Sequence, residues 1–201
     1  MPMSKRTQRK IRNTALSLLT FLAALVVWSW TERTRNASEE YAVYSAYLSG
    51  GLLNDAHDWS VDGPVQVVIE NTTKGGGNLR LRALYVLDGG AHIEHLDPST
   101  RVNFIVRNLL ETRILPRFAL PSQATVALAS QQDIQSPQFQ KRFPHNLGFI
   151  TLSGVGFNRS RTQALFYIDH FCGLCGGGRY VLMKMVNGTW QIQAENYTWI
   201  S

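Results

Sequence analysis

Apolar residues near the start of the chain form a block, not a period. From Thr14 to Trp30 the chain is almost wholly apolar for 17 residues, near the lower end of the roughly 17–25 that cross a bilayer as a helix. Beyond it the pattern becomes periodic. Tyr41, Tyr44 and Leu48 repeat at helical spacing after Ser38-Glu39-Glu40, a hydroxyl cap with acids in the first turn, and Gly50-Gly51 reads as the stop. Val65–Ile69 and Ala124–Ala129 are short strands, whereas Leu79–Leu87 is ambiguous between strand and helix. Asp97-Pro98-Ser99-Thr100 opens a second helix with Val102, Ile105, Val106 and Leu109 on one stripe. Ser136-Pro137 starts a short helix that spaces Phe139 and Phe143 four apart. Four strands then follow closely: Phe149–Ser153, Gln163–Cys172, Arg179–Val186 and Thr189–Ile200. Asn187-Gly188 between the last two is a hairpin turn signal, since a type I′ turn needs positive φ at both central residues. Asn54–Pro64, Lys74–Asn78 and Leu115–Pro121 have loop character. The order predicts an α+β fold: one domain of helices packed on an antiparallel C-terminal β-meander.

Charge sharpens the reading of the first block. Lys5, Arg6, Arg9, Lys10 and Arg12 precede it with no acidic residue among them. They supply five of the formal net charge of +6, so the rest of the chain is nearly neutral and carries no basic stripe suited to nucleic acid. A basic tail feeding an apolar run is an export or anchoring segment. Trp28 and Trp30 close the run where the membrane–water interface favours indoles, and no small-x-small cleavage pattern follows. An uncleaved signal-anchor is favoured over a cleaved signal. Residues 1–13 are then a cytoplasmic tail able to touch anionic lipid, 14–30 a transmembrane signal-anchor, 31–37 a tether and 38–201 an extracytoplasmic domain.

Candidate chemistry centres on Cys172-Gly173-Leu174-Cys175, which precedes Gly176-Gly177-Gly178 in what reads as a hairpin loop. In an oxidising compartment two cysteines three apart most simply form a structural disulfide, with the glycines easing a tight ring. A redox-active dithiol has the same spacing, but its thiolate is activated by a helix N-terminus, and here a strand follows. A metal site recruiting His170 lacks a fourth ligand, and inert thiols are the remaining reading. No metal or cofactor is assigned. His92-Ile93-Glu94-His95 has only two residues between its histidines, so it fits neither zinc-protease pattern. Asp169 and His170 are neighbours on a strand and point to opposite faces. The chain has no G-x-S-x-G elbow, and its glycine groups at Gly154 and Gly75 lack the partners of a dinucleotide or phosphate loop. Trp190, Tyr197, Trp199, Phe166 and Tyr180 read mainly as the packed face of the sheet.

The run Ile150–Asn158, then Thr162–Leu165, Cys172–Gly178, Tyr180–Leu182, Gly188–Trp190 and Trp199–Ser201 resembles a group of uncharacterised bacterial exported or membrane-anchored proteins. Related loops tend to hold one more residue between the cysteines. The resemblance implies a bacterial, extracytoplasmic domain and no particular reaction. The function expected is a binding or structural module at the cytoplasmic membrane, facing the periplasm or the exterior, with ligand and partner open. Cys172 and Cys175 form its bridge, beside a possible site loop of His170, Gly173, Gly176, Gly177 and Gly178. A thiol–disulfide protein using the same pair, or a hydrolase or metal enzyme without a recognisable motif, are the alternatives.

Overall fold

The computed structural model describes residues 37–53, 64–73, 93–173 and 175–201. The basic tail, the anchor segment, nearly all of the tether and of Asn54–Pro64, and the whole of Lys74–Asn78 and Leu79–Leu87 lie outside these residues. Among the described residues no helix is long and apolar enough to cross a membrane. The folded unit considered below is Glu40–Ser201.

Its centre is a seven-stranded sheet. The strands are β1 (Val65–Glu70), β2 (Ala124–Ala129), β3 (Asn146–Leu152), β4 (Gly156–Phe157), β5 (Gln163–Phe171), β6 (Gly176–Val186) and β7 (Thr189–Ile200). They run in the order β2-β1-β3-β5-β6-β7, with β4 paired to β5 off this path. The class is α+β as expected, but the sheet is not a pure meander. β3, β5, β6 and β7 are antiparallel neighbours, whereas β1 runs parallel to both β2 and β3. The reason lies in β1 itself. Val67, Val68 and Ile69 are all buried, so both faces of this strand are covered, as parallel strands require. Parallel neighbours also need long crossovers, and these contain the helices α2 (Pro98–Arg107), α3 (Gln131–Ile134) and α4 (Phe139–Arg142).

The helix α1 (residues 37–47) covers one face of the sheet and continues into a π turn, Leu48–Leu52. Ser38 therefore lies inside the helix instead of capping it, and Gly50-Gly51 widens the helix without stopping it. The wider turn keeps both Leu48 and Leu52 buried. Tyr44 and Tyr47 meet Phe166 of β5 edge-on at 5.5 and 5.3 Å. The outer side of α1 is covered by the loop predicted at Leu115–Pro121. There the Leu115 amide donates to the Tyr41 hydroxyl (2.6 Å), the Ala119 amide donates to Ser45 Oγ (2.9 Å), and Phe118 stacks with Tyr44. At the sheet's other end Arg179 Nε donates to the Tyr47 hydroxyl (2.6 Å) and pairs with Glu195 (2.9 Å).

The opposite face carries α2. Asp97 caps it as predicted, its Oδ1 accepting from the Ser99 amide at 2.7 Å. Its buried side is not the apolar stripe. Thr100, Phe104 and Asn108 are buried, while Val102, Val106 and Leu109 face outward. The cause is local: the backbone of Gly156 approaches so closely that a Cβ there would lie 2.3 Å from the Phe104 amide nitrogen. Asn108 spans the contact, its side chain donating to the Gly154 carbonyl (2.9 Å) and accepting from the Gly154 amide (2.8 Å). Farther along the same face, α3 and α4 pack Ile134, Phe139 and Phe143 against Val68, Ala129 and Phe149. The sequence pattern did not mark α3, although Ser130 and Asp133 form a reciprocal capping box.

One carboxylate joins both faces. Glu40 of α1 is buried; its Oε2 accepts from Arg107 at 2.7 Å and its Oε1 from the Val155 amide at 2.9 Å. The Tyr44 hydroxyl is the donor between two acceptors, Glu40 Oε1 at 3.0 Å and the Ser153 carbonyl at 2.5 Å. Burial, and next the Glu40 charge, hold that phenol well above its ordinary pKa, so it remains a donor. Replacing Glu40 by Ala strands the Arg107 guanidinium, and breaking a buried pair in this way costs about 3–5 kcal/mol. Urea unfolding of Glu40→Ala should show that loss, and an unchanged midpoint would mean that the clamp is dispensable.

Candidate functional site

The β5–β6 hairpin ends in the Cys172–Cys175 disulfide, with the two Cα atoms 5.0 Å apart. The Cys172 amide donates to the Cys175 carbonyl at 2.9 Å, and Gly173 supplies the positive φ (81°) within the ring. Cys175 is exposed and Cys172 half-buried. The loop is shorter than predicted because β6 begins at Gly176, so Gly176, Gly177 and Gly178 are strand residues and do not loosen the ring. Gly178 leaves room for a polar cluster: a Cβ there would fall 2.1 Å from both Trp199 Nε1 and the Tyr167 hydroxyl, and 2.4 Å from Asp169 Oδ1. Gly176 similarly admits the His170 carbonyl, 2.7 Å from an added Cβ.

The cluster beneath Gly178 centres on Asp169, whose Oδ1 accepts from the Tyr167 hydroxyl (2.7 Å) and from Trp199 Nε1 (2.8 Å). The Tyr167 hydroxyl also meets Thr198 Oγ1 at 3.0 Å. His170 points to the other side of the sheet, as strand alternation requires. Its Nε2–H donates to the Leu147 carbonyl at 2.6 Å. Burial, reinforced by the Arg179 charge and opposed by that bond, holds the imidazole below its ordinary pKa. The structure thus separates Asp169 from His170, and it groups the disulfide with neither as a reactive constellation. Among the described residues no group of three His, Cys, Asp or Glu side chains is placed to hold a metal; His92 lies outside them.

The disulfide instead borders a cleft of about 270 Å³, lined by Ile134, Phe139, Gln140, residues 146–149 and Phe171, Cys172 and Gly173. A bulge in β3 opens it, where Asn146 and Phe149 pair with Gln66 and Val68. Gly148 takes φ 90° in that bulge, and a Cβ there would sit 1.8 Å from the Phe171 carbonyl oxygen. Aromatic rings continue along it: Phe139 meets Phe149 edge-on (6.1 Å), Phe149 stacks on Phe171 (4.8 Å), and Phe171 leans on Trp199 (5.2 Å). Asn146 and Gln140, the polar side chains here, are bonded to each other at 2.9 Å. Such a wall suits an apolar or aromatic group. Sequence reasoning found the cysteines but not this cleft; Asn146-Leu147-Gly148 was its local signal, a turn-type pair inside a strand. Of the aromatics read as core, Phe166, Tyr180 and Trp190 are buried, Trp199 is half-buried, and Tyr197 is exposed.

Comparison with known protein families, with curated proteins and with solved structures found no match.

Two outcomes follow from the geometry. Gly178→Ala drives a methyl group into the Asp169 cluster, and overpacking of this kind costs about 1–3 kcal/mol. Thermal melting should register it, whereas an equal melting temperature would show that Trp199 and Tyr167 yield freely. For His170, the unfolded imidazole takes up a proton near its ordinary value of about 6.5, and the folded one does so only at lower pH. Its contribution to stability is therefore intact above about pH 6.5 and is lost as pH falls toward the folded value. The difference in melting temperature between wild type and His170→Gln should shift across that interval; a difference independent of pH would refute the assignment.

Proposed function

We propose that this protein is a membrane-anchored, extracytoplasmic binding module, with a structural Cys172–Cys175 disulfide at the rim of its binding cleft. The observation that carries the reading is the placement of the disulfide: it closes a hairpin tip directly over an aromatic cleft. The flanking elements support a structural role. A strand enters and a strand leaves the ring, so Cys172 does not sit at the helix N-terminus that activates thioredoxin-type thiols. The basic tail and apolar run support anchoring, with the domain on the oxidising side of the bacterial cytoplasmic membrane. The partner best matched to the cleft is an apolar or aromatic group, carried by a small molecule or an exposed side chain. One observation favours a second reading, thiol–disulfide exchange: Cys175 is exposed and open to attack.

Thiol trapping separates the two. In the loop-closure picture so short a ring contributes about 2 kcal/mol, which corresponds to roughly 4–8 °C in melting temperature for a domain of this size. A structural bridge should stay closed in mild reductant, and its forced reduction should lower the melting temperature by that amount without unfolding the domain. A bridge that opens readily in mild reductant, with no change in melting, would assign Cys172 and Cys175 to exchange chemistry.

A further inference from the structure

The apolar stripe of α2 points away from its own core. Val102, Val106, Leu109 and Leu110 are 58%, 56%, 48% and 59% exposed. Val102 and Val106 lie one turn apart on the same side of the helix, and Leu109 and Leu110 follow in the bend just past its end. Contiguous exposed apolar surface of this kind marks an interaction face. Its location narrows the occupant. The C-terminal end of α2 lies where α1 begins, because Arg107 bonds Glu40 at 2.7 Å. Leu109 and Leu110 follow directly, and the amide of the exposed Leu115 lies 2.6 Å from the hydroxyl of Tyr41, the residue after Glu40. The same end carries two exposed cations, Arg113 and Arg117, against one exposed acid, Glu111. Only Thr31–Asn36 separates Trp30 from the start of α1, a covalent reach of at most about 25 Å.

We propose that this surface, from Val102 on α2 through Leu110 just past its end, rests in the headgroup layer of the bilayer that holds the anchor, with Arg113 and Arg117 turned toward anionic lipid. The inference rests on the anchored reading of residues 14–30. A helix with an apolar side and neighbouring arginines gains both apolar burial and attraction to anionic headgroups at such a surface. A tether this short keeps the bilayer within reach at high effective concentration. Surface contact would also fix how the domain stands on the membrane.

The test uses the full chain in vesicles of phosphatidylethanolamine with phosphatidylglycerol and a chain-brominated quencher lipid. An environment-sensitive fluorophore is attached at Val106→Cys or, as the control, at Gln132→Cys on α3; the native cysteines are closed in their disulfide and do not react. Quenching several-fold stronger at 106 than at 132, and retained with one chain per nanodisc, is the expected result. Equal, weak quenching at both sites in protein that floats with the vesicles would overturn the lipid contact and leave the anchor standing. Protein that does not float at all would overturn the anchored reading as well. Shielding at 106 that vanishes at one chain per nanodisc would assign the face to a second copy and also overturn the proposal.

Discussion

A carboxylate out of water is costly unless its charge and lone pairs are matched, and Glu40 is matched from three directions. A guanidinium from α2, an amide from the turn before β4 and a phenol from its own helix converge on it. Because these partners come from separated parts of the chain, the ion pair does more than contribute energy: it sets the spacing between α1 and α2 at the end of the sheet. Gly156 completes the arrangement by letting the α2 backbone approach where any side chain would hold it off. Every ring packed beneath α1, and Phe104 on the far face, depends on that spacing.

The elements with local causes were legible in the sequence. Asn187-Gly188 takes φ 49° and 80°, the backbone its residues favour, and Asp97 caps α2 through its own side chain. The expected strand cores all appear, with bounds shifted by a few residues. What was not legible depends on partners distant in sequence. Hydropathy chose Val102, Ile105, Val106 and Leu109 for the inner face of α2; only Ile105 packs against the core, and Thr100 and Asn108 are buried because their polar atoms are satisfied there by Gln163 and Gly154. Likewise Val67-Val68-Ile69 marks β1 as covered on both faces, but nothing near it names β2 and β3 as its parallel neighbours.

The candidate site divides in the same way. Spacing alone marked the cysteines, and the disulfide is there. A glycine run signals a turn, yet Gly176, Gly177 and Gly178 lie in β6, where the bare Gly178 makes space for Trp199, Tyr167 and Asp169. The cleft beside the bridge depends on the register of β3 against β1, of which the local sequence carries only the bulge signal at Asn146-Leu147-Gly148.

The clamp at Glu40 also has a temporal meaning. Its residue is the first of the folded unit to leave a ribosome or cross a membrane, but the Val155 amide that satisfies it arrives more than a hundred residues later. Tyr47 waits longer still, for Arg179 and Glu195. β1, which lies between β2 and β3, is completed only when β3 reaches it. Contacts this distant in sequence make folding slow, because loop closure precedes its reward. An emerging chain therefore carries an unmatched carboxylate and several bare tyrosines for most of its passage, until its last third arrives to close the domain.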